Sequence, residues 1–247
     1  MGDMEAAMPF TAETKVSDIA LSGSQNRQVL EQAKVDFCCG GGQSLHQACA
    51  HSGVTAGEIL SRLRENAACV VPGEENWQAA PLAEITRHIR EKHHRYVRQA
   101  VPRVYALLEK VIAAHGANHT ELAPIAVLFQ EVGREMIQHM QKEEQILFPY
   151  IDALERAADE NAPIEPPFFQ SVRNPIAAMM KEHDAAGALV KQIRGLSGGY
   201  LVPEDVCASY AALYKELKEF EADLHEHVHL ENNVLFPRAV ELESAAA

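Results

Sequence analysis

Two eleven-residue segments, HMQKEEQILFP (His139–Pro149) and HVHLENNVLFP (His227–Pro237), share the pattern H-x3-E-x3-L-F-P at a separation of 88 residues. Each closes an apolar stripe with helical spacing. Val206, Tyr210, Leu213, Leu217, Phe220 and Leu224 step by 4, 3, 4, 3 and 4 residues, and the rhythm then lands on His227, Glu231 and Val234. Ile125, Phe129, Val132 and Met136 lead in the same way to His139, Glu143 and Ile146. Alternating steps of three and four form the seam of an antiparallel helical bundle. Here polar groups stand where the seam asks for leucine. Burying them alone is costly, so they must have partners.

A His and a Glu at i and i+4 share one helical face and can reach a common point in a bundle core. The repeat reaches further back: His94 precedes His139 by 45 residues, and His183 precedes His227 by 44. The region then reads as two helix pairs, each supplying one lone histidine and one His-x3-Glu. About a turn near residue 117, His94 and His139 lie 23 and 22 residues away, so antiparallel packing brings the histidines to a similar depth. The candidate metal ligands are therefore His94, His139, Glu143, His183, His227 and Glu231. Imidazole with carboxylate suits iron or manganese, whereas structural zinc more often takes thiolates or fewer ligands. One carboxylate from each repeat can bridge two cations. Two histidines per metal leave room for an oxo bridge and a small ligand, which makes a dinuclear iron site the natural reading.

A single histidine on an apolar stripe is ordinarily a hydrogen-bonded core residue; six inward groups obeying one repeat are not explained that way. His93 competes with His94, because it lies four residues from both Ile89 and Val97, and only the 45-against-44 spacing favours His94. His225 and His229 point about 160° away from His227, towards solvent or another helix. His115 continues an inward stripe, but a helix of that length sets it roughly 31 Å from His94. Glu135 and Asp223, each four residues before a histidine, are candidates to orient imidazoles or relay protons, or else belong to a solvated face.

The rest of the chain divides by composition. Residues 1–70 hold four of the five cysteines and two of the twelve histidines, and read as a small helical N-terminal domain. VPGEENWQAAP, residues 71–81, reads as a linker. Residues 82–242 carry four helical segments: Pro81 to His115 with a kink at Pro102, Glu121 to about Ala158, one with Pro175 in its first turn that ends at Gly195–Gly199, and one opening at Pro203–Glu204. The expected fold class is all-α. The net charge of −13 argues against nucleic acid and against an anionic membrane surface, since neither attracts an acidic protein. An odd number of cysteines at irregular spacing, with no secretion signal in Met1–Phe10, fits a reducing cytoplasm.

KVDFCCGGGQSLHQAC (Lys34–Cys49) sets Cys38 and Cys39 at the edge of three glycines. Exposed backbone amides there could lower a thiol pKa and favour a nucleophilic, metal-binding thiolate; equally, the glycines could form a turn beside two small core residues. GGGQS lacks the lysine and spacing of a phosphate-binding loop.

DFCCGGGQSLHQAC, followed by a bundle carrying HMQKEEQILFP, KEHDAAG and LENNVLFPRA, resembles the RIC (repair of iron centres) di-iron proteins of the YtfE/ScdA type, over approximately residues 17–240. The resemblance implies a hemerythrin-like four-helix bundle behind a short cysteine-pair domain, in a cytoplasmic bacterial protein. It implies repair of iron-sulfur clusters after nitrosative or oxidative damage, with iron-sulfur proteins as clients and nitric oxide or dioxygen as small ligands. It places two iron ions, in a carboxylate-bridged Fe–O–Fe centre, on His94, His139, Glu143, His183, His227 and Glu231, and the reactive thiols on Cys38 and Cys39. A nitric oxide reductase, and a dioxygen or nitric oxide carrier or sensor, remain open readings of the same residues, and the sequence leaves a homodimer open.

Overall fold

A computed structural model of the chain describes residues 10–50, 52–66, 76–165 and 167–246. His51, Cys69 and residues 71–75 of the expected linker lie outside them, as does most of Met1–Phe10. The chain divides into two compact units, Met1–Ala79 and Ala80–Ala247. Among the described residues every regular element is helical, apart from one isolated bridge between Lys15 and Ser44. No helix among them is long and apolar enough to cross a membrane.

The N-terminal unit contains α1 (Val16–Leu21), α2 (Ser24–Gln32), α3 (Leu45–Cys49) and α4 (Ala56–Asn66). Its core is built from Val16, Ile19, Leu30, Phe37, Leu45, Ile59 and Leu63. A reciprocal cap starts α3: the Gln47 amide donates to Ser44 Oγ, and Ser44 N–H donates to the Gln47 side chain. The glycine loop between α2 and α3 is tied to the start of α1 by Val16 N–H to Gln43 O and Ser17 N–H to Gly41 O, each at 3.0 Å.

The C-terminal unit has four rods, three of them interrupted. The first runs α5 (Leu82–Ile89), a π turn (Arg90–His94) and α6 (Arg95–His115). The second runs α7 (Leu122–Lys142), a π turn (Glu143–Leu147) and α8 (Phe148–Asp159). The third is α9 (Arg173–Leu196), and the fourth runs α10 (Ala208–Leu230), a π turn (Glu231–Leu235) and α11 (Phe236–Ala246). The rods are antiparallel, as the descending partners show. On the second rod His94 meets Glu144 while Tyr105 meets Gln130; on the fourth, Lys92 meets Glu226 while Arg103 meets Glu216. The seam residues Ile125, Phe129, Val132, Leu213, Leu217, Phe220 and Leu224 are all buried.

Each π turn is marked by a backbone bond five residues long: Arg95 N–H to Arg90 O, Phe148 N–H to Glu143 O and Phe236 N–H to Glu231 O. In the two repeats a proline follows at once. An α-helical Pro149 would press its ring on the Gln145 carbonyl, and Pro237 on that of Asn233, so a widened turn relieves the clash. The first π turn has no such proline, and nothing in its local sequence explains it.

Two sequence expectations shift. The fourth helix begins at Ala208 rather than Pro203, because Glu204 and Asp205 form a turn and Cys207 is still extended, leaving Val206 ahead of the helix. Ile146 is exposed and Leu147 is buried in its place. In the fourth rod, with an equivalent π turn, the expected Val234 is buried together with Leu235.

Candidate metal centre

The bundle brings His94, His139, Glu143, His183, His227 and Glu231 together at one level, each at most 1% exposed. They fall into two overlapping groups whose ligating atoms lie within 4.8 Å of one another: His94 and His227 with both glutamates, and His139 and His183 with both glutamates. Each carboxylate divides its oxygens between the groups. Glu143 Oε2 lies 3.3 Å from His94 Nε2, and its Oε1 lies 3.2 Å from His139 Nε2. Glu231 Oε1 lies 3.0 Å from His227 Nε2, and its Oε2 lies 3.0 Å from His183 Nε2.

The imidazoles are turned so that Nε2 faces inward, and for three of them the other nitrogen is anchored. Nδ1 of His94 donates to Glu144 at 2.7 Å, that of His139 to Glu182 at 2.9 Å, and that of His183 to Asn232 Oδ1 at 2.9 Å. An acceptor on Nδ1 leaves Nε2 as the lone-pair donor and fixes the ring, as metal-binding histidines require. The rings of His94 and His183 also stack on Phe148 and Phe236, the phenylalanines of the two L-F-P motifs. His227 is held differently, stacked on His93 at 5.5 Å.

Charge in this core is balanced only within the cluster. Burial and the facing Glu231 both oppose ionisation of Glu143, but His139 and His94 outweigh them and hold its carboxyl below the usual range. Burial likewise opposes charge on Glu231, and His227 and His183 hold it well below. Burial disfavours the His139 cation, yet Glu143 and Glu182 push its pKa up to about 10. Glu182, bonded to His139 and Lys142, is held down to about 2. Both Glu143 oxygens, Glu231 Oε2 and His94 Nε2 are buried without a properly oriented hydrogen bond. Buried lone pairs aimed at one another, from nitrogen and oxygen donors, fit a cation site and would be expensive otherwise.

Comparison with known proteins gives the family. A family model described as "Hemerythrin HHE cation binding domain" matches residues 85–239, which include all six side chains. A second, ScdA_N, described as "Domain of Unknown function (DUF542)", matches residues 12–67. The chain is 35% identical over 232 residues to the "Probable iron-sulfur cluster repair protein" of Haemophilus influenzae, covering 93% of this chain and 97% of that one. It is 33% identical to the "Iron-sulfur cluster repair protein YtfE" of Musicola paradisiaca, covering 94% and 98% of the two chains. Identity is 34% to the protein of the same name from Yersinia pseudotuberculosis, over 90% and 94%. The chain belongs to the YtfE-type, hemerythrin-like iron-sulfur cluster repair family.

Within this family member the remaining expected residues take other places. His93 is buried, but its Nδ1 pairs with Asp223 Oδ1 at 2.9 Å and it joins neither group of four. Asp223 therefore serves His93, and Glu135 pairs on the surface with Arg134; neither bonds a histidine of the cluster. His115 stands beside His119 and Tyr210 and accepts the Cys207 amide through Nε2 at 3.4 Å. Of the two places expected for His229, solvent or another helix, the first is not met: it is buried and bonded to Asn233. The orienting groups Glu144, Glu182 and Asn232 escaped the sequence reading. Their signal is that both repeats carry a polar residue directly after the glutamate, and that an acid directly precedes His183.

Cys38 and Cys39 lie in the N-terminal unit, with sulfurs 3.9 Å apart. Of the two readings of this loop, the one in which backbone amides favour a thiolate is not met at Cys38. The amides of Cys38 and Cys39 donate to Asp36 Oδ1, both at 3.0 Å, instead of facing a sulfur. The hydrogen bond to Cys39, burial, and the Asp36 charge push the Cys38 thiol well above its ordinary range.

Proposed function

We propose that this chain repairs iron-sulfur clusters damaged by nitrosative or oxidative stress, through two iron ions held by His94, His139, Glu143, His183, His227 and Glu231. The observation that carries the reading is the split of each glutamate between two histidine pairs, which suits two cations sharing two carboxylate bridges. His94 with His227 would serve one ion and His139 with His183 the other. Bound there, iron would supply a redox-active, exchangeable cation with coordination positions for nitric oxide or dioxygen.

The chain's own residues set the conditions for that chemistry. Glu144, Glu182 and Asn232 hold three imidazoles in the tautomer that presents Nε2. Phe148 and Phe236 cover one face each of the His94 and His183 rings. Carboxylate bridges would loosen on protonation or shift, which suits a protein that gives iron away. The clients would be iron-sulfur proteins, as the names of the relatives indicate for those proteins. Cys38 and Cys39 are the reactive thiols of the reading. The same reading places the chain in a reducing cytoplasm, which fits five cysteines at irregular spacing.

Metal analysis and Mössbauer spectroscopy of the purified protein test this. The expected result is about two irons per chain, antiferromagnetically coupled when oxidised, with the coupling lost in Glu143→Leu or Glu231→Leu and kept in His225→Ala. Zinc in place of iron, or no metal after anaerobic iron loading, would sink the reading. A Cys38→Ser/Cys39→Ser variant that keeps its iron should fail to reactivate a nitric-oxide-damaged client cluster; normal repair would remove the thiols from it.

A further inference from the structure

The glycine loop of the N-terminal unit holds another convergence of ligating atoms. Asp36, Cys38 and Cys39 each place one such atom within 4.8 Å of the other two. The sulfurs are 3.9 Å apart, and Cys38 Sγ lies 3.3 Å from Asp36 Oδ1. Adjacent side chains in an extended chain point to opposite faces, so two neighbouring sulfurs on one side is a feature the loop imposes. A disulfide would need sulfurs about 2.05 Å apart. A tetrahedral ion with metal–sulfur bonds of about 2.3 Å has a sulfur–sulfur edge of about 3.8 Å, and a carboxylate oxygen at about 2.0–2.2 Å gives an oxygen–sulfur edge of about 3.5 Å. The two measured edges, 3.9 and 3.3 Å, are close to those of one face of such a site, and the third lies within 4.8 Å.

The loop is built to keep it so. Asp36 Oδ1 accepts the amides of both cysteines, which locks the backbone carrying the thiols to the carboxylate. Cys38 Sγ is within hydrogen-bonding reach of both Asp36 Oδ1 and Cys39 Sγ, so its one proton lies inside the triangle that an ion would fill. Gly40 makes the close approach possible. A Cβ there would lie 3.3 Å from the Asp36 carboxylate and 3.1 Å from its carbonyl oxygen.

We propose that Asp36, Cys38 and Cys39 form a three-ligand site for a thiolate-preferring divalent cation such as zinc or ferrous iron. The ion replaces two thiol protons, which leave to solvent, and two thiolates plus one carboxylate around it leave a net charge of −1. Asp36 is exposed and Cys39 partly so, so the fourth position opens outward and exchanges freely. Three ligands with an open position suit an ion in transit better than a structural one, which is closed by four. The proposal does not rest on the His/Glu centre, which contains no sulfur.

Anaerobic titration of the reduced full-length protein with cobalt(II) separates the two sites. Only thiolate ligation gives a near-ultraviolet sulfur-to-cobalt charge-transfer band, and one cobalt per chain should produce it. Cys38→Ser/Cys39→Ser should abolish the band, while Cys49→Ser and Cys207→Ser leave it intact. Asp36→Asn keeps an oxygen for both amides but loses the anionic ligand, and should weaken cobalt binding by about 10–100-fold. In the wild-type protein, zinc should slow alkylation of Cys39, mapped by mass spectrometry. Absence of the band, its survival in the double variant, unchanged affinity in Asp36→Asn, or unprotected Cys39 would each overturn the proposal.

Discussion

At the scale of the residue, the centre depends on which atom of each imidazole is committed elsewhere. The repeat makes His139, Glu143, His227 and Glu231 visible in the sequence, because i and i+4 are tied by the helix itself. The anchors Glu144, Glu182 and Asn232 were not visible, since each meets its histidine across a helix interface whose rotation no local pattern reveals. The His139–Glu182 bond makes a prediction. Because Glu143 and Glu182 raise the His139 pKa to about 10, the metal-free protein carries a proton there at neutral pH. That charge stabilises the metal-free fold fully below the ordinary value of about 6.5 and loses its effect as pH rises through about 10. Metal must displace the proton, so binding should release it and tighten as pH rises from 7 towards 10. Calorimetry in buffers of different ionisation enthalpy should read about one proton from His139. Glu182→Gln should reduce that release and lower metal affinity about 10–100-fold. Binding without proton release would contradict the assignment.

At the scale of the element, the π turns are what the heptad rhythm missed. A stepping pattern of three and four assumes an uninterrupted α-helix; across the π turns it places Val234 inside correctly but Ile146 where Leu147 is found. The prolines of the two L-F-P motifs were in view, but their effect on the turn before them belongs to backbone sterics rather than to hydrophobic periodicity. The helix ends also depend on neighbours. α5, which carries the chain into the first π turn and His94, has Pro81 as its N-cap and no cap of its own. Glu155 of α8 supplies one, accepting Leu82 N–H at 2.6 Å and Ala83 N–H at 2.9 Å. Glu155→Ala should cost about 1–2 kcal/mol in urea denaturation, as loss of a helix cap with its charge does. A change within error would show that water replaces the carboxylate at no cost.

At the scale of the whole molecule, two units with separate cores carry separate chemistries, nitrogen and oxygen donors in one and thiols in the other. Metal at the His/Glu centre binds only the folded C-terminal unit, so it stabilises that unit by mass action. In a Cys38→Ser/Cys39→Ser variant, which removes the loop thiols, chelation should lower that unit's thermal midpoint, and hydrogen exchange should show the loss of protection in α7, α9 and α10 while α1 and α2 stay unchanged. Equal destabilisation of both units would contradict this. By itself the sequence determined the all-α class, the four rods and the inward histidine–glutamate level, because helical periodicity and an internal repeat are written along the chain. Only the tertiary structure decided which histidines pair, that His94 rather than His93 faces the glutamates, and that Asp36 takes the amides expected to favour a thiolate. Those outcomes turn on ring rotations and loop closures of a few ångströms, which depend on atoms far apart in sequence and leave no period to read.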